Sequence, residues 1–250
     1  MNIQRISVLV KMQLKKLIRE PANLFLMLLF PAMLTLIFGL SFGDTPSQTP
    51  GLSQFHSMAP GLFSYACIFI IMTVAQSFSD DREHGLLKRI NITPTTSGEF
   101  MGSHVISNSI IAIIQVAIVA VLLFALGYRS EGGVAGMALA FVLIAFLSIC
   151  SVGFGLITAT VAKSAGAATG IAFIFIMPQM FFGTFIPLTD STKAIAMFMP
   201  SYYVTDSVTK IFNGVALIDI SIWINLAIIA FISVAIVVLG IQLFKKYGKA

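Results

Sequence analysis

Six apolar stretches, each long enough to cross a lipid bilayer, constrain this chain more than any other feature. A spanning helix needs about 20 mainly apolar residues to traverse a hydrocarbon core roughly 30 Å thick. Its backbone polar groups must also be satisfied within the segment itself. Residues 23–42, 60–79, 104–127, 134–161, 166–186 and 220–244 meet both conditions. Hydrophobic residues make up 58% of the 250-residue chain and charged residues 10%, against about 25% charged in soluble domains. The sequence therefore predicts an all-α integral membrane protein with six transmembrane helices in one transmembrane domain, residues 1–250.

The stretches between these runs carry the remaining structural information. Pro21 to Gly43 is 23 residues without a charge. That exceeds a signal-peptide core of roughly 7–15 residues, and no A-x-A cleavage pattern follows, so it reads as an uncleaved first span. Before it, Ile3, Ile6, Val10, Leu14 and Leu17 recur at helical spacing, with Lys11, Lys15 and Arg19 on another face. This predicts an N-terminal amphipathic helix over 1–20, lying in the headgroup plane with its cations toward anionic lipid. Glu20-Pro21 ends it. Between the fifth and sixth spans, Ala194 to Met199 is apolar but far too short to cross, which predicts a short re-entrant or interfacial helix.

Lysine and arginine set the sidedness. With the N-terminus inside, Arg5, Lys11, Lys15, Lys16, Arg19, Arg82, Lys88, Arg89, Lys163, Lys245, Lys246 and Lys249 are cytoplasmic, and only Arg129, Lys193 and Lys210 lie outside. A bias of twelve to three places both termini and the 80–103 loop in the cytoplasm. The same pattern accounts for the net charge of +5 as membrane topology, with no nucleic-acid partner.

Several chemistries find no support. The patterns G-x-x-x-x-G-K-[ST], G-x-S-x-G, H-E-x-x-H and C-x-x-C are absent. His56, His84 and His104 fall in three separate regions, and Cys67 and Cys150 lie inside apolar runs, where they read as packing residues. The predicted spans carry no charged residue, which weighs against a proton-coupled carrier. They do carry aromatic, sulfur-bearing and amide side chains. Phe69, Met72, Gln76, Phe173, Met177, Met180 and Phe181 are the candidates for a pathway open to an amphipathic or lipophilic substrate, although core packing or lipid contact accounts equally for any one of them. The small-residue pairs Gly166/Gly170 and Gly132/Gly136 are spaced for close helix approach.

The polar interval 80–103 is the strongest candidate for an aqueous interaction. Asp80-x-x-Glu83 reads as a capping box that starts a short helix at Asp80. Leu86, Leu87 and Ile90 then form an apolar patch rimmed by Arg82, Lys88 and Arg89, and Thr93-Pro94 reads as the start of a second short helix. Apolar knobs with a charged rim suit a docking element. A solvated loop obeying the charge rule is the other reading, and the residues alone leave both open.

Arg82-Glu83-His84-Gly85-Leu86-Leu87-Lys88-Arg89-Ile90, followed by Thr93-Pro94, resembles the cytoplasmic signature of type-2 ABC-transporter permeases, the six-span subunits of drug, antibiotic and polysaccharide exporters. Pro178, Gly183, Phe185, Pro187, Pro200, Tyr202, Asp206 and Gly214 are similar to that family's stretch around the end of the fifth span. Arg19-Glu20-Pro21 with Phe30-Pro31 looks like its opening. Leu86 departs from the family's usual threonine.

The resemblance implies a permease moving a hydrophobic or amphipathic substrate (a drug, antibiotic or lipid-like molecule) out of the cell across the plasma membrane. It implies an ATP-binding cassette ATPase partner seated on Arg82, Glu83, Gly85, Leu86, Leu87, Lys88, Arg89, Ile90 and Pro94. ATP and Mg would be bound by that partner and no cofactor by this chain, which is then not itself an enzyme. The N-terminal helix would be a connecting helix that also touches the ATPase. A second permease copy would complete a homodimer, with the pathway between second and fifth spans of the two copies. Phe185, Pro187, Pro200 and Tyr202 would form an exit gate. The rivals are a stand-alone secondary carrier and an intramembrane lipid-modifying enzyme using His104.

Overall fold

The computed structural model describes residues 3–43, 45–46, 53–85, 93, 95–185 and 189–247, and shows a helical bundle. In chain order the helices are α1 (Ile3–Arg19), α2 (Pro21–Phe42), α3 (Gln54–Ile68), α4 (Ile70–Glu83), α5 (Ser97–Ala125), α6 (Gly133–Val161), α7 (Ala165–Met180), a π-helical turn (Phe181–Phe185), α8 (Asp190–Ala196), α9 (Pro200–Phe212) and α10 (Ile220–Tyr247). Among the described residues, five helices are long and apolar enough to cross a membrane: Gln54–Glu83, Gly98–Ala125, Gly133–Val161, Ala165–Phe185 and Ile220–Lys246. They coincide with the second to sixth expected spans. The first expected span falls on α2, whose described apolar stretch is Met27–Phe42.

The second crossing is a 30-residue rod broken at Phe69, where α3 passes into α4. It is the most enclosed of the five, and α6 packs along it. Glycine permits the tightest crossings. A Cβ on Gly155 of α6 would stand 2.8 Å from the Ile71 carbonyl oxygen, and one on Gly61 of α3 would stand 2.3 Å from that of Thr184. Gly132 and Gly136 also pack closely, against Ile211 of α9, whereas Gly166 and Gly170 meet nothing within 4 Å. That pair lies on an exposed stripe of α7.

One local expectation is corrected. Asp80 does not open a helix: Asp80 to Glu83 are the last turn of α4, which ends at His84 and Gly85, the latter at φ 74°. Asp-x-x-Glu looks the same at either helix end, and only at an N-terminus does it meet free N–H groups. The working capping box lies at α5, where Glu99 N–H donates to Thr96 Oγ1 (3.2 Å) and Thr96 N–H donates to Glu99 Oε2 (2.9 Å). Of the apolar segment Ala194 to Met199, the first three residues end the short helix α8, and Met197 and Phe198 are exposed beyond it.

Lysines and arginines lie toward both ends of the bundle. At one end, the Phe244 ring near Lys245 and Lys246 lies 5.6 Å from Phe78 and 6.1 Å from Phe100, close to the last turn of α4. Arg129 and Lys210 gather at the other end, where the Tyr128 ring lies 5.6 Å from that of Phe212.

Candidate functional site: the junction at the end of the second crossing

The last turn of α4 carries Asp80, Asp81, Arg82 and Glu83, and each has a partner within the chain, Asp80 lying 3.5 Å from the exposed His84 ring. Arg82 donates to the Thr160 carbonyl (3.5 Å) and to the Ala162 carbonyl, at the C-terminal end of α6. The final carbonyls of a helix have no intrahelical donor and attract cations, so the guanidinium satisfies groups that would otherwise need water. One residue further, Glu83 Oε1 accepts the Ala165 N–H (2.6 Å), the first residue of α7. Ser164 completes that cap by accepting the Ala167 N–H (3.1 Å). A carboxylate complements the positive end of a helix. Adjacent opposite charges on α4 thus grip the two ends of the 162–164 connection.

Asp81 points elsewhere. It is buried and pairs with Lys16 of α1. Burial opposes the Lys16 charge, but the hydrogen bond to Asp81 and the carboxylates of Asp81, Glu20 and Asp80 outweigh it, and the pKa lies above the ordinary value. Gln13 donates to Ser103 Oγ (3.1 Å), and Arg5 approaches Glu99 (3.9 Å). Helix α1 is therefore fastened across the end of α4 and the start of α5. His104 is enclosed beside it, with ring centroids 5.0 Å from Phe78 and 4.7 Å from Phe100.

Of the residues read as docking elements, Arg82, Glu83 and Gly85 are thus placed. Leu86, Leu87, Lys88, Arg89, Ile90 and Pro94 lie outside the described residues. The pathway candidates divide. Phe69 is buried, its ring 4.6 Å from Phe30 in a stack. Met72 and Met180 are half-buried, while Gln76 on α4 and Phe173, Met177 and Phe181 along α7 and its π turn are exposed. Helices α4 and α7 are neighbours.

The exit-gate candidates Phe185 and Pro200 converge on the π turn. Phe185 stacks 5.7 Å from Phe38 and lies 5.4 Å from Tyr65. Pro200 is buried at the first position of α9, and next to it Ser201 donates to the Gln179 carbonyl (3.2 Å). A Cβ on Gly183 would stand 1.9 Å from Ser201 Oγ. Tyr202 is half-buried, and Pro187 lies outside the described residues.

A second polar cluster was not read as a site from the sequence, although Asp206 is one of the residues that carry the family resemblance. Asp206 of α9 accepts from Lys210 (2.7 Å) and from Asn225 of α10 (2.9 Å), and Lys210 donates to Ser221 Oγ (3.0 Å). Asp219 caps α10 through the Ser221 hydroxyl and N–H, which hold its carboxyl below the usual range. An asparagine within an apolar run was the available clue.

Long apolar helices of this number define a multi-pass membrane protein. The sequence matches the ABC-2 type transporter family over residues 4–213, and the chain belongs to that family. It is a transmembrane subunit of an ABC transporter, a class that works with ATP-binding cassette partners. Comparison with curated proteins gave no match.

Proposed function

We propose that this chain is the permease of an ATP-driven exporter, acting as two copies with two ATPase subunits. It crosses the plasma membrane six times, α2 being the first crossing, with both termini and residues 80–103 in the cytoplasm. Helix α1 is the amphipathic connecting helix at the membrane surface. The cargo is hydrophobic or amphipathic, in keeping with the exposed Phe173, Met177 and Phe181.

The observation that carries this reading is the double grip of Arg82 and Glu83 on the 162–164 connection. The ATPase docks on residues 86–94, directly after the last turn of α4. Displacement there is passed by α4 to α6 and α7 together, as rigid-body motion of packed helices. ATP drives the change because the closed ATPase pair favours one arrangement of the spans over the other. Arg82 and Glu83 transmit the motion, and Leu86, Leu87 and Ile90 make the apolar contact.

The test is affinity purification of the tagged chain from native membranes, with the bound ATP-binding cassette subunit identified by mass spectrometry and its ATP turnover measured. Leu86→Glu/Leu87→Glu is expected to insert normally and lose the ATPase. An unchanged yield of ATPase and unchanged turnover would refute the docking assignment.

A further inference from the structure

Three cations of α1 have no ion-pair partner among the described residues. Lys16 pairs with Asp81 and Arg5 approaches Glu99, but Lys11, Lys15 and Arg19 are exposed and make no ion pair among the described residues. Their spacing of four residues places them in one row on the helix. Glu20 follows Arg19 in sequence, and its charge acts on Lys16 together with those of Asp81 and Asp80.

The row ends two residues before Pro21, where an apolar groove of about 710 Å³ begins. Leu24, Phe25, Leu28, Leu29 and Ala32 line it along one face of α2, and Ile118 of α5 forms the other wall. From Pro21 to Ala32 the groove runs roughly 16 Å at 1.5 Å per residue. That is about half of the roughly 30 Å hydrocarbon core, the depth of one leaflet. A cationic row at the polar end of an apolar slot of leaflet depth complements one kind of molecule, with a negative headgroup and an acyl chain joined at the interface.

We infer that α1 and α2 form a binding site for an anionic phospholipid, with its phosphate on Lys11, Lys15 and Arg19 and an acyl chain along Leu24, Leu28 and Ile118. The bound lipid fixes the angle between α1 and α2 at Pro21. Because α1 is also tied to the end of α4 through Lys16 and Asp81, lipid charge bears on the position of the junction. The site requires only membrane insertion and does not rest on the export reading.

The full chain is placed in nanodiscs of equal phosphatidylcholine and phosphatidylglycerol, and retained lipids are counted by native mass spectrometry without any ATPase. Phosphatidylglycerol is expected to be retained in preference by roughly tenfold or more, as three interfacial cations allow. Lys11→Gln/Lys15→Gln/Arg19→Gln should abolish that preference, and raising salt from 0.15 to 0.5 M should weaken it in the unaltered chain. Ala32→Trp, which fills the groove, should lower retention of both lipids. Equal retention of the two lipids by the unaltered chain, or an undiminished preference in the triple variant, would overturn the inference. So would ready disulfide cross-linking of Leu29→Cys chains into dimers, since the groove would then be a protein interface.

Discussion

Two pairs of side chains decide what the junction does, and both are opposite charges used in different ways. Glu83 is exposed and bonds a helix N-terminus, so its energetic weight is small and its role is positional. The Lys16–Asp81 pair is different, because Asp81 is buried and Lys16 half-exposed. Removing one member of such a pair leaves a carboxylate out of water without a counter-charge, while removing both can be nearly neutral. Lys16→Met should therefore destabilise the protein by about 1–3 kcal/mol, allowing for the partial exposure of the lysine. Lys16→Met/Asp81→Leu should recover most of that loss. Thermal unfolding of the three purified variants in detergent is the measurement, and equal effects in single and double variants would show that the pair does not couple.

At the scale of elements, the spans were legible in the sequence and the contacts between them were not. Apolar length is additive along a chain, so the second to sixth expected spans fall on α3–α4, α5, α6, α7 with its π turn, and α10. The extra turns beyond them, such as Asp80 to Glu83, are polar and helical, and hydropathy has no means of assigning them. The motif Arg82-Glu83 was visible, but its partners are backbone groups of Thr160, Ala162 and Ala165, and backbone groups carry no sequence signature. Small-residue spacing was a partial guide: Gly132 and Gly136 pack against Ile211, Gly166 and Gly170 meet nothing within 4 Å in the chain, and Gly61, which no pair singled out, sits at a close crossing. This gives a contrast to measure. Gly61→Ala places a methyl 2.3 Å from a backbone oxygen that cannot swing aside, and should cost about 1–3 kcal/mol through overpacking. Gly166→Ala should be neutral or raise stability by up to about 1 kcal/mol through helix propensity. Comparing their unfolding temperatures checks both.

At the scale of the molecule, the bundle has two fastened ends and an open flank. One end ties α1, α4, α6 and α7 through Lys16, Arg82 and Glu83, and α1 to α5 through Gln13 and Ser103; the other ties α9 to α10 through Asp206, Lys210 and Asn225. Between them α7 offers an exposed stripe from Gly166 to Phe181. Motion applied at the first end would reach that stripe through its N-terminal cap, which is what a permease driven from the cytosol requires. The most direct test is the distance between spin labels on Lys163→Cys in the two copies of the ATPase-bound complex, by double electron–electron resonance with and without ATP. Cys67 and Cys150 are buried and leave the engineered site as the one exposed thiol among the described residues. The account predicts that ATP shifts the distance, and that Glu83→Ala keeps the ATPase bound but loses most of the shift. A distance unmoved by ATP, or an equal shift in Glu83→Ala, would contradict it.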